Sequence, residues 1–324
     1  LIGMRLLRHD HQILFLIFSM NYSIPADVPK EMHDVFVKNM DRMTCGSGKL
    51  FLFAGDQKVE HLNNDFVGPD VSTDDADPEH LFRIASQSNI GVFAAQLGLI
   101  ARYAPTYPNV PYLIKLNAKS DLIKTDQKDP YSATWTRVED VVQFKDQSGL
   151  QVVGVGYTIF PGSEFESQMY AEAAEHIFDA HQHGLVSVIW AYPRGKAVTN
   201  ERDPHLIAGV AGIAASMGAD FVKVNPPQRD GKISADLLKE TVAAAGNTKV
   251  ICAGGASTNV KQFLQTLYDQ IHIAGCAGNA TGRNIHQKSL SDAVNFCNAI
   301  YALTVEGKTV DEAMNIYTDQ RHDN

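Results

Sequence analysis

A lysine inside an apolar run is where chemistry would start in this chain. Lys223 stands in Ala219-Asp220-Phe221-Val222-Lys223-Val224-Asn225, which reads as a buried strand. Lysine is rarely buried without a partner. Removal from water lowers its pKa and yields a neutral, nucleophilic amine near neutral pH. Such an amine can add to a ketone or aldehyde and form a Schiff base. The same lysine could instead carry its ammonium to solvent along its alkyl stem. The local run alone does not separate the two readings.

Other reactive types recur at the ends of apolar runs. Asp56 and Gln96 each close one. Lys115 and Asn117 are two apart, the spacing that puts side chains on one face of a strand. Trp190 and Tyr192 repeat that spacing. Lys223 is the candidate nucleophile. Lys115 brings a second positive charge, which would lower the pKa of Lys223 by like-charge repulsion. Tyr192 is a candidate general acid and base, and Asp56 could move a proton at a substrate hydroxyl. Trp190 shapes a pocket wall or serves as a core aromatic. Asn117 and Arg194 are expected to contact substrate.

Two glycine-rich turns complete the set. One is Ala253-Gly254-Gly255-Ala256-Ser257, and the other runs from Gly278 through Gly282 and Arg283 to Asn284. Backbone N–H groups at such turns attract anions, and arginine adds a bidentate donor. Both are expected to bind phosphate. A third basic turn, Tyr192-Pro193-Arg194-Gly195-Lys196, follows the fifth apolar run.

The elements that must position these residues alternate. Apolar runs at Lys49–Asp56, Ile90–Gln96, Tyr112–Ala118, Val152–Ile159, Ser187–Pro193, Ala219–Asn225, Lys249–Gly254 and His272–Gly278 read as eight strands. Helical patterns lie between them, opened by Asp77-Pro78-Glu79 and Asp203-Pro204, with Gly184 closing the pattern from Glu164 to His183. Further helical patterns cover Val138–Lys145, Ser234–Gly246, Ser257–Gln270 and 287–317. Parallel strands need crossover helices. Eight such units predict an α/β fold, a closed (β/α)8 or TIM barrel with extra N-terminal and C-terminal helices. An open doubly wound sheet should begin with GxGxxG, whereas the first run here ends in Gly55-Asp56-Gln57-Lys58. In a barrel, catalytic groups come from the C-terminal strand ends, and the loops after strands seven and eight often hold phosphate.

Composition narrows the function classes. The chain has 324 residues, 44% hydrophobic and 20% charged, ordinary values for a globular protein. A formal net charge of −9 argues against a nucleic-acid partner. The four cysteines, Cys45, Cys252, Cys276 and Cys297, lack zinc-ligand spacing and fit a reducing, cytoplasmic setting. The apolar run Ile13–Phe18 is too short to cross a membrane. Residues 1–19 are expected to be an extension upstream of a start at Met20, and residues 20–324 a single domain. Residues 20–48 are expected to be helical, closing the bottom or packing on the side of the barrel.

Taken together, Trp190-Ala191-Tyr192-Pro193-Arg194-Gly195, the lysine strand Ala219–Asn225, Pro111–Asn117, Ala253-Gly254-Gly255 and Gly282-Arg283-Asn284-Ile285-His286-Gln287 resemble the archaeal-type class I fructose-bisphosphate aldolases. The resemblance implies a Schiff base on Lys223, proton transfer by Tyr192, a role for Asp56 and phosphate binding by the last two loops. It further implies no cofactor, a phosphorylated sugar substrate and a homo-oligomer. Family members often read Asp-His-Gly-x-Glu-His at strand one, where this chain reads Asp56-Gln57-Lys58-Val59-Glu60-His61. Lys58 is therefore expected to add charge at the pocket mouth, and another phosphorylated ketose is the alternative substrate. A metal-dependent barrel isomerase would need carboxylate and histidine ligands at strand ends, where only Asp56 and His61 qualify. A non-catalytic phosphosugar-binding barrel would not need Lys223 and Tyr192.

Overall fold

A computed structural model of the chain describes residues 22–61, 63–123, 128–255 and 259–319. The expected extension 1–19 lies outside these residues. Eight parallel strands close into a barrel in chain order. They are β1 (Leu50–Ala54), β2 (Val92–Gln96), β3 (Tyr112–Lys115), β4 (Val152–Ile159), β5 (Val186–Ala191), β6 (Phe221–Val224), β7 (Lys249–Ala253) and β8 (Gly278–Thr281). The open-sheet alternative is thereby excluded.

Strands β1 to β7 are largely apolar runs because both their faces are covered. Leu50, Leu52, Ala54, Val92, Ala94, Leu113, Val188, Trp190, Phe221, Ile251 and Ala280 form the cluster inside the barrel. Phe51, Phe53, Phe93, Ile114, Ile189, Val222 and Val250 point outward, against the helices. The inward and outward sets alternate along each strand, as the period of two requires.

Helix α1 (His33–Thr44) closes the N-terminal end of the barrel. Its Phe36, Met40 and Met43 join the interior cluster. Asn39 Nδ2 donates to Gly184 O at 2.7 Å, which ties α1 to the turn before β5. His181 bridges Asp27 and Asp220 at 2.8 and 3.1 Å and staples the segment ahead of α1 to the same end. The bottom of the barrel is thus plugged, and the C-terminal end is left for function.

The crossover segments contain α2 (Gln57–Glu60), α3 (Glu79–Gln87), α4 (Leu97–Tyr103), α5 (Val138–Ser148), α6 (Glu166–Gln182), α7 (Pro204–Ser216), α8 (Lys239–Ala245) and α9 (Val260–His272). After β8 come α10 (Arg283–His286), α11 (Leu290–Thr304) and α12 (Val310–Asp319). Asp203 caps α7 by accepting from Leu206 N, with Pro204 at the first helical position. Helix α11 packs on α3 and α9, and α12 packs on α11 and α9. The expected start at Ser257 of the helical pattern Ser257–Gln270 lies outside the described residues. Among the described residues no helix is long and apolar enough to cross a membrane.

The eighth strand departs from expectation. The apolar run His272–Gly278 is the end of α9 and the approach to the barrel, and the strand is Gly278–Thr281, which had read as a turn. This strand pairs with β1 through Leu50↔Gly278 and Phe53↔Thr281. Gly278 has φ +131°, and a Cβ there would stand 2.0 Å from Leu50 O, so only glycine allows the closing contact. The polar members are satisfied locally: Asn279 Nδ2 donates to Thr304 Oγ1 at 3.0 Å, and Thr281 Oγ1 to Asn279 Oδ1 at 2.9 Å.

Candidate active site

The C-terminal strand ends surround a cavity of about 480 Å³. Lys223, Tyr192, Asp56, Trp190, Arg194, Gly254, Gly255, Gly282 and Arg283 all line it. Residues far apart in the chain are brought together there because each follows a strand of one closed sheet. Trp190 and Lys223 are direct neighbours in the β5–β6 register.

Lys223 is 4% exposed. Burial is the main force lowering its pKa. The fields of Lys115 and Arg283 act in the same direction, and those of Asp56 and Glu60 oppose them. Like-charge repulsion from Lys115 is therefore present but secondary. Among the described residues no carboxylate oxygen lies within 4.0 Å of Lys223 Nζ.

Lys115 differs from expectation in its surroundings. It does not line the cavity. Its ammonium donates to Glu60 Oε1 at 2.7 Å and lies 3.7 Å from Asp56 Oδ2. The Trp190 ring centroid is 5.1 Å from Lys115 Nζ and 5.2 Å from Lys223 Nζ. The ring face attracts an ammonium by the cation–π effect.

Glu60 had been noted only as part of a motif, and it belongs to the site. Its carboxyl is pressed by burial up to about 6, against the pull of Lys115 and with the help of Asp56. The signal was available, since Asp56 and Glu60 are four apart at the start of a helix and so share a face. Asp65 and Arg202 also line the cavity and had not been singled out. Asp65 lies 3.7 Å from Arg283 Nη1, and Arg202 Nη1 donates to Pro226 O at 3.0 Å.

Tyr192 is partly buried, and burial holds its phenol well above the usual range, aided by the fields of Asp56 and Glu60. The phenol therefore keeps its proton at neutral pH and is available as an acid. Gly282 closes β8 against Gln57: a Cβ at 282 would stand 2.1 Å from Gln57 Nε2. Gly255 has φ +71° and follows β7. Asn284 Nδ2 donates to Gly254 O at 3.2 Å and links the two glycine turns. The remainder of the first turn, 256–258, lies outside the described residues.

Two expected contacts, Asn117 and Lys58, are not brought to the cavity. Asn117 is fully buried, and its amide clamps neighbouring backbone: Nδ2 donates to Thr158 O at 2.8 Å and Ser132 O at 3.0 Å, and Oδ1 accepts from Thr158 N at 2.7 Å. It thus has no free group for a substrate. Lys58 does not stand at the cavity mouth either. It donates to Asp75 O and Ala76 O, each at 3.2 Å, and lies 4.0 Å over the Phe66 ring. Lys196 pairs with Asp129 at 2.8 Å outside the cavity lining. Lys119 does line the cavity, paired with Asp121 at 2.6 Å, whereas Lys124 lies outside the described residues.

Comparison with known proteins gives the same direction. A family model described as DeoC/LacD family aldolase matches residues 50–288. A protein of Methanocaldococcus jannaschii named fructose-bisphosphate aldolase/6-deoxy-5-ketofructose 1-phosphate synthase is 54% identical over 298 residues, 92% of this chain and 95% of the relative. The solved fructose-bisphosphate aldolase from Slackia heliotrinireducens is 51% identical, with TM-score 0.90, covering 93% of this chain and 95% of that one. A solved archaeal fructose-1,6-bisphosphate aldolase, with its catalytic lysine bound to the carbinolamine intermediate of the substrate, is 32% identical, with TM-score 0.71 over 83% of this chain and 99% of that one. With the family match spanning the whole barrel and every strand end that builds the cavity, the chain belongs to the DeoC/LacD aldolase family.

Proposed function

We propose that the protein is a class I, Schiff-base fructose-1,6-bisphosphate aldolase, a lyase that interconverts the ketose bisphosphate with dihydroxyacetone phosphate and glyceraldehyde 3-phosphate. The observation that carries this reading is Lys223: a buried amine, lowered in pKa and with no carboxylate oxygen within 4.0 Å among the described residues, on the wall of a cavity edged by glycine turns and arginines.

In this reading the Lys223 amine adds to the C2 carbonyl and gives a carbinolamine. Tyr192 donates a proton to the departing hydroxyl, water leaves, and a protonated imine remains. Asp56 accepts the C4 hydroxyl proton as the C3–C4 bond breaks. The electron pair enters the imine as an enamine, and the aldehyde phosphate departs. The proton taken by Asp56 returns to the Tyr192 phenolate, Tyr192 protonates C3 of the enamine, and water then adds to the imine, returning a proton to Tyr192 and releasing the ketone. The imine is itself the electron sink, so the route asks for no metal or cofactor. Arg283, Gly254, Gly255 and Gly282 hold one phosphate, and Arg194 with Lys119 faces the other. The substrate stays a small phosphorylated sugar, with neither nucleic acid nor membrane as partner. The setting is cytoplasmic, where Cys252 and Cys276, 3.9 Å apart, stay reduced. The assembly is a homo-oligomer.

A second reading has one specific support. The Methanocaldococcus jannaschii relative also carries the name 6-deoxy-5-ketofructose 1-phosphate synthase. The same lysine chemistry would then join a ketose-derived enamine to a different carbonyl acceptor.

The deciding experiment is reductive trapping. The protein is incubated with dihydroxyacetone phosphate and borohydride, digested and mapped by mass spectrometry. An adduct on Lys223 is expected, and its absence would sink the Schiff-base reading. Steady-state turnover of fructose 1,6-bisphosphate and of its deoxy monophosphate analogue then ranks the two substrates. Activity abolished by EDTA would favour a metal enzyme instead.

A further inference from the structure

Two buried lysines lie close to the cavity, Lys223 on its wall and Lys115 behind it, and their side chains alone do not say which should react. Both are buried, at 1% and 4% exposure for Lys115 and Lys223. Both face the same indole at nearly the same distance, 5.1 and 5.2 Å. The difference lies in the carboxylates. Lys115 has Glu60 at 2.7 Å and Asp56 at 3.7 Å, whereas Lys223 has none within 4.0 Å among the described residues. Glu60 lines the cavity, and Lys115 does not.

We propose that Glu60 is a positioning residue that selects the nucleophile: its short bond holds Lys115 in an ion pair and covers it, and leaves Lys223 as the amine that adds to a carbonyl. The inference rests on the Schiff-base reading of Lys223. An ammonium has no lone pair with which to attack C2, and an opposite charge in contact favours the charged form. Lys223, buried without such a contact, reaches the neutral form more readily. The fields of both Asp56 and Glu60 reach Lys223, so what separates the two amines is direct contact. Glu60 is the carboxylate that makes the short bond to Lys115. One turn of helix α2 places both carboxylates on the same side of the cavity.

The test reads the site of the covalent bond, which a merely structural role would not move. Wild-type protein, Lys223→Met, and Lys223→Met/Glu60→Ala are each treated with dihydroxyacetone phosphate and borohydride, and the reduced adduct is mapped. Wild type is expected to label at Lys223 and Lys223→Met to lose the label. The double variant should regain label on Lys115, roughly tenfold or more above Lys223→Met, as expected for a lysine freed from its ion pair. No gain at Lys115 in a double variant with native circular dichroism would overturn the inference and leave the Schiff-base reading intact. Absence of label at Lys223 in wild type would remove that reading and the inference with it. Should the double variant not fold, wild-type protein is labelled with trace acetic anhydride across pH. Lys223 is expected to react at lower pH than Lys115, and equal or reversed order would overturn the proposal.

Discussion

His286 Nδ1 donates to Asp75 Oδ2 at 2.7 Å, and neither side chain is exposed to solvent. The pair ties the 3-10 turn Thr73–Ala76 to α10, the short helix that begins with Arg283. The His286 ring stacks on Phe66 with centroids 4.9 Å apart, and Phe66 in turn lies under Lys58. Removing one partner of such a buried pair leaves the other buried without its hydrogen bond, which typically costs ~1–3 kcal/mol. Asp75→Ala is expected to lose about that much stability in urea denaturation. A loss below ~1 kcal/mol would mean that the pair is not holding the turn to the helix.

Tyr192 is the group assigned to proton transfer. Tyr192→Phe keeps the ring and removes the acid, so the fold and the melting temperature should be retained. General acid–base catalysis commonly contributes ~10²–10⁴-fold, and turnover is expected to fall by about that factor. Trapping at Lys223 should persist at long incubation, because the amine itself is untouched. Turnover within a few-fold of wild type would assign the proton to another group.

Glu172 gathers Tyr131, Thr134, Tyr157 and Gln168 as donors, at 2.7, 2.6, 2.6 and 3.0 Å. Burial alone would raise its carboxyl, but the hydrogen bonds win and lower it from 4.5 to about 2. The folded value lies below the unfolded one, so the contribution is fully present above pH 4.5 and is lost as pH falls towards about 2. Glu172→Gln should therefore lower stability at neutral pH by about 2 kcal/mol, the scale of hydrogen bonds to a charged group. The gap to wild type should narrow on acidification. Denaturation midpoints at pH 7 and pH 3 give the comparison, and a gap that widens in acid would refute the assignment.

Gly282 and Gln57 are in close contact. An added Cβ at 282 would stand 2.1 Å from Gln57 Nε2, and both residues line the cavity. Gly282→Ala is expected to push the glutamine amide into the space for substrate and raise KM by roughly tenfold, as for a lost substrate contact. Gly282→Ala/Gln57→Ala should recover most of that loss, because the obstructing amide is gone. A double variant no better than the single one would point to the backbone of the turn instead.

Much of the barrel was legible because each strand is a short apolar run flanked by helix starts and stops. Seven of the eight expected runs coincide largely with the observed strands, and the eighth shares only Gly278 with its strand. The eighth was misplaced for a physical reason. Ile271, Ala274 and Cys276 are buried by the end of α9 and the segment after it, which gives an apolar signature without a strand. The real strand, Gly-Asn-Ala-Thr, has little intrinsic strand preference. It is held by the close approach of Gly278 to Leu50 and by partners far along the chain, such as Thr304.

The site was legible by residue type and less so by direction. Lys115 and Asn117 had been placed on one face by their spacing. However, regular barrel pairing of β3 ends at Lys115, and Asn117 enters a short hairpin with Ala133–Thr134. Its amide consequently faces backbone rather than the cavity. Lys58 looked like charge for substrate, but its partners are the carbonyls of Asp75 and Ala76, which sequence spacing could not announce. Glu60 was visible in the sequence, yet its bond to Lys115 depends on the β1–β2–β3 arrangement.

The indole of Trp190, close to both amines, has a use beyond shaping the cavity. The chain has two tryptophans, and the other, Trp135, is 58% exposed. Indole emission responds to charges in its immediate field. A carbonyl adduct on Lys223 fixes an iminium charge 5.2 Å from the Trp190 ring centroid at most a bond length or two displaced from the amine it replaces. With Trp135 replaced by Phe, the remaining fluorophore becomes a built-in optical gauge. Rapid-mixing fluorescence could then time the covalent step directly, with no coupling enzyme and no label.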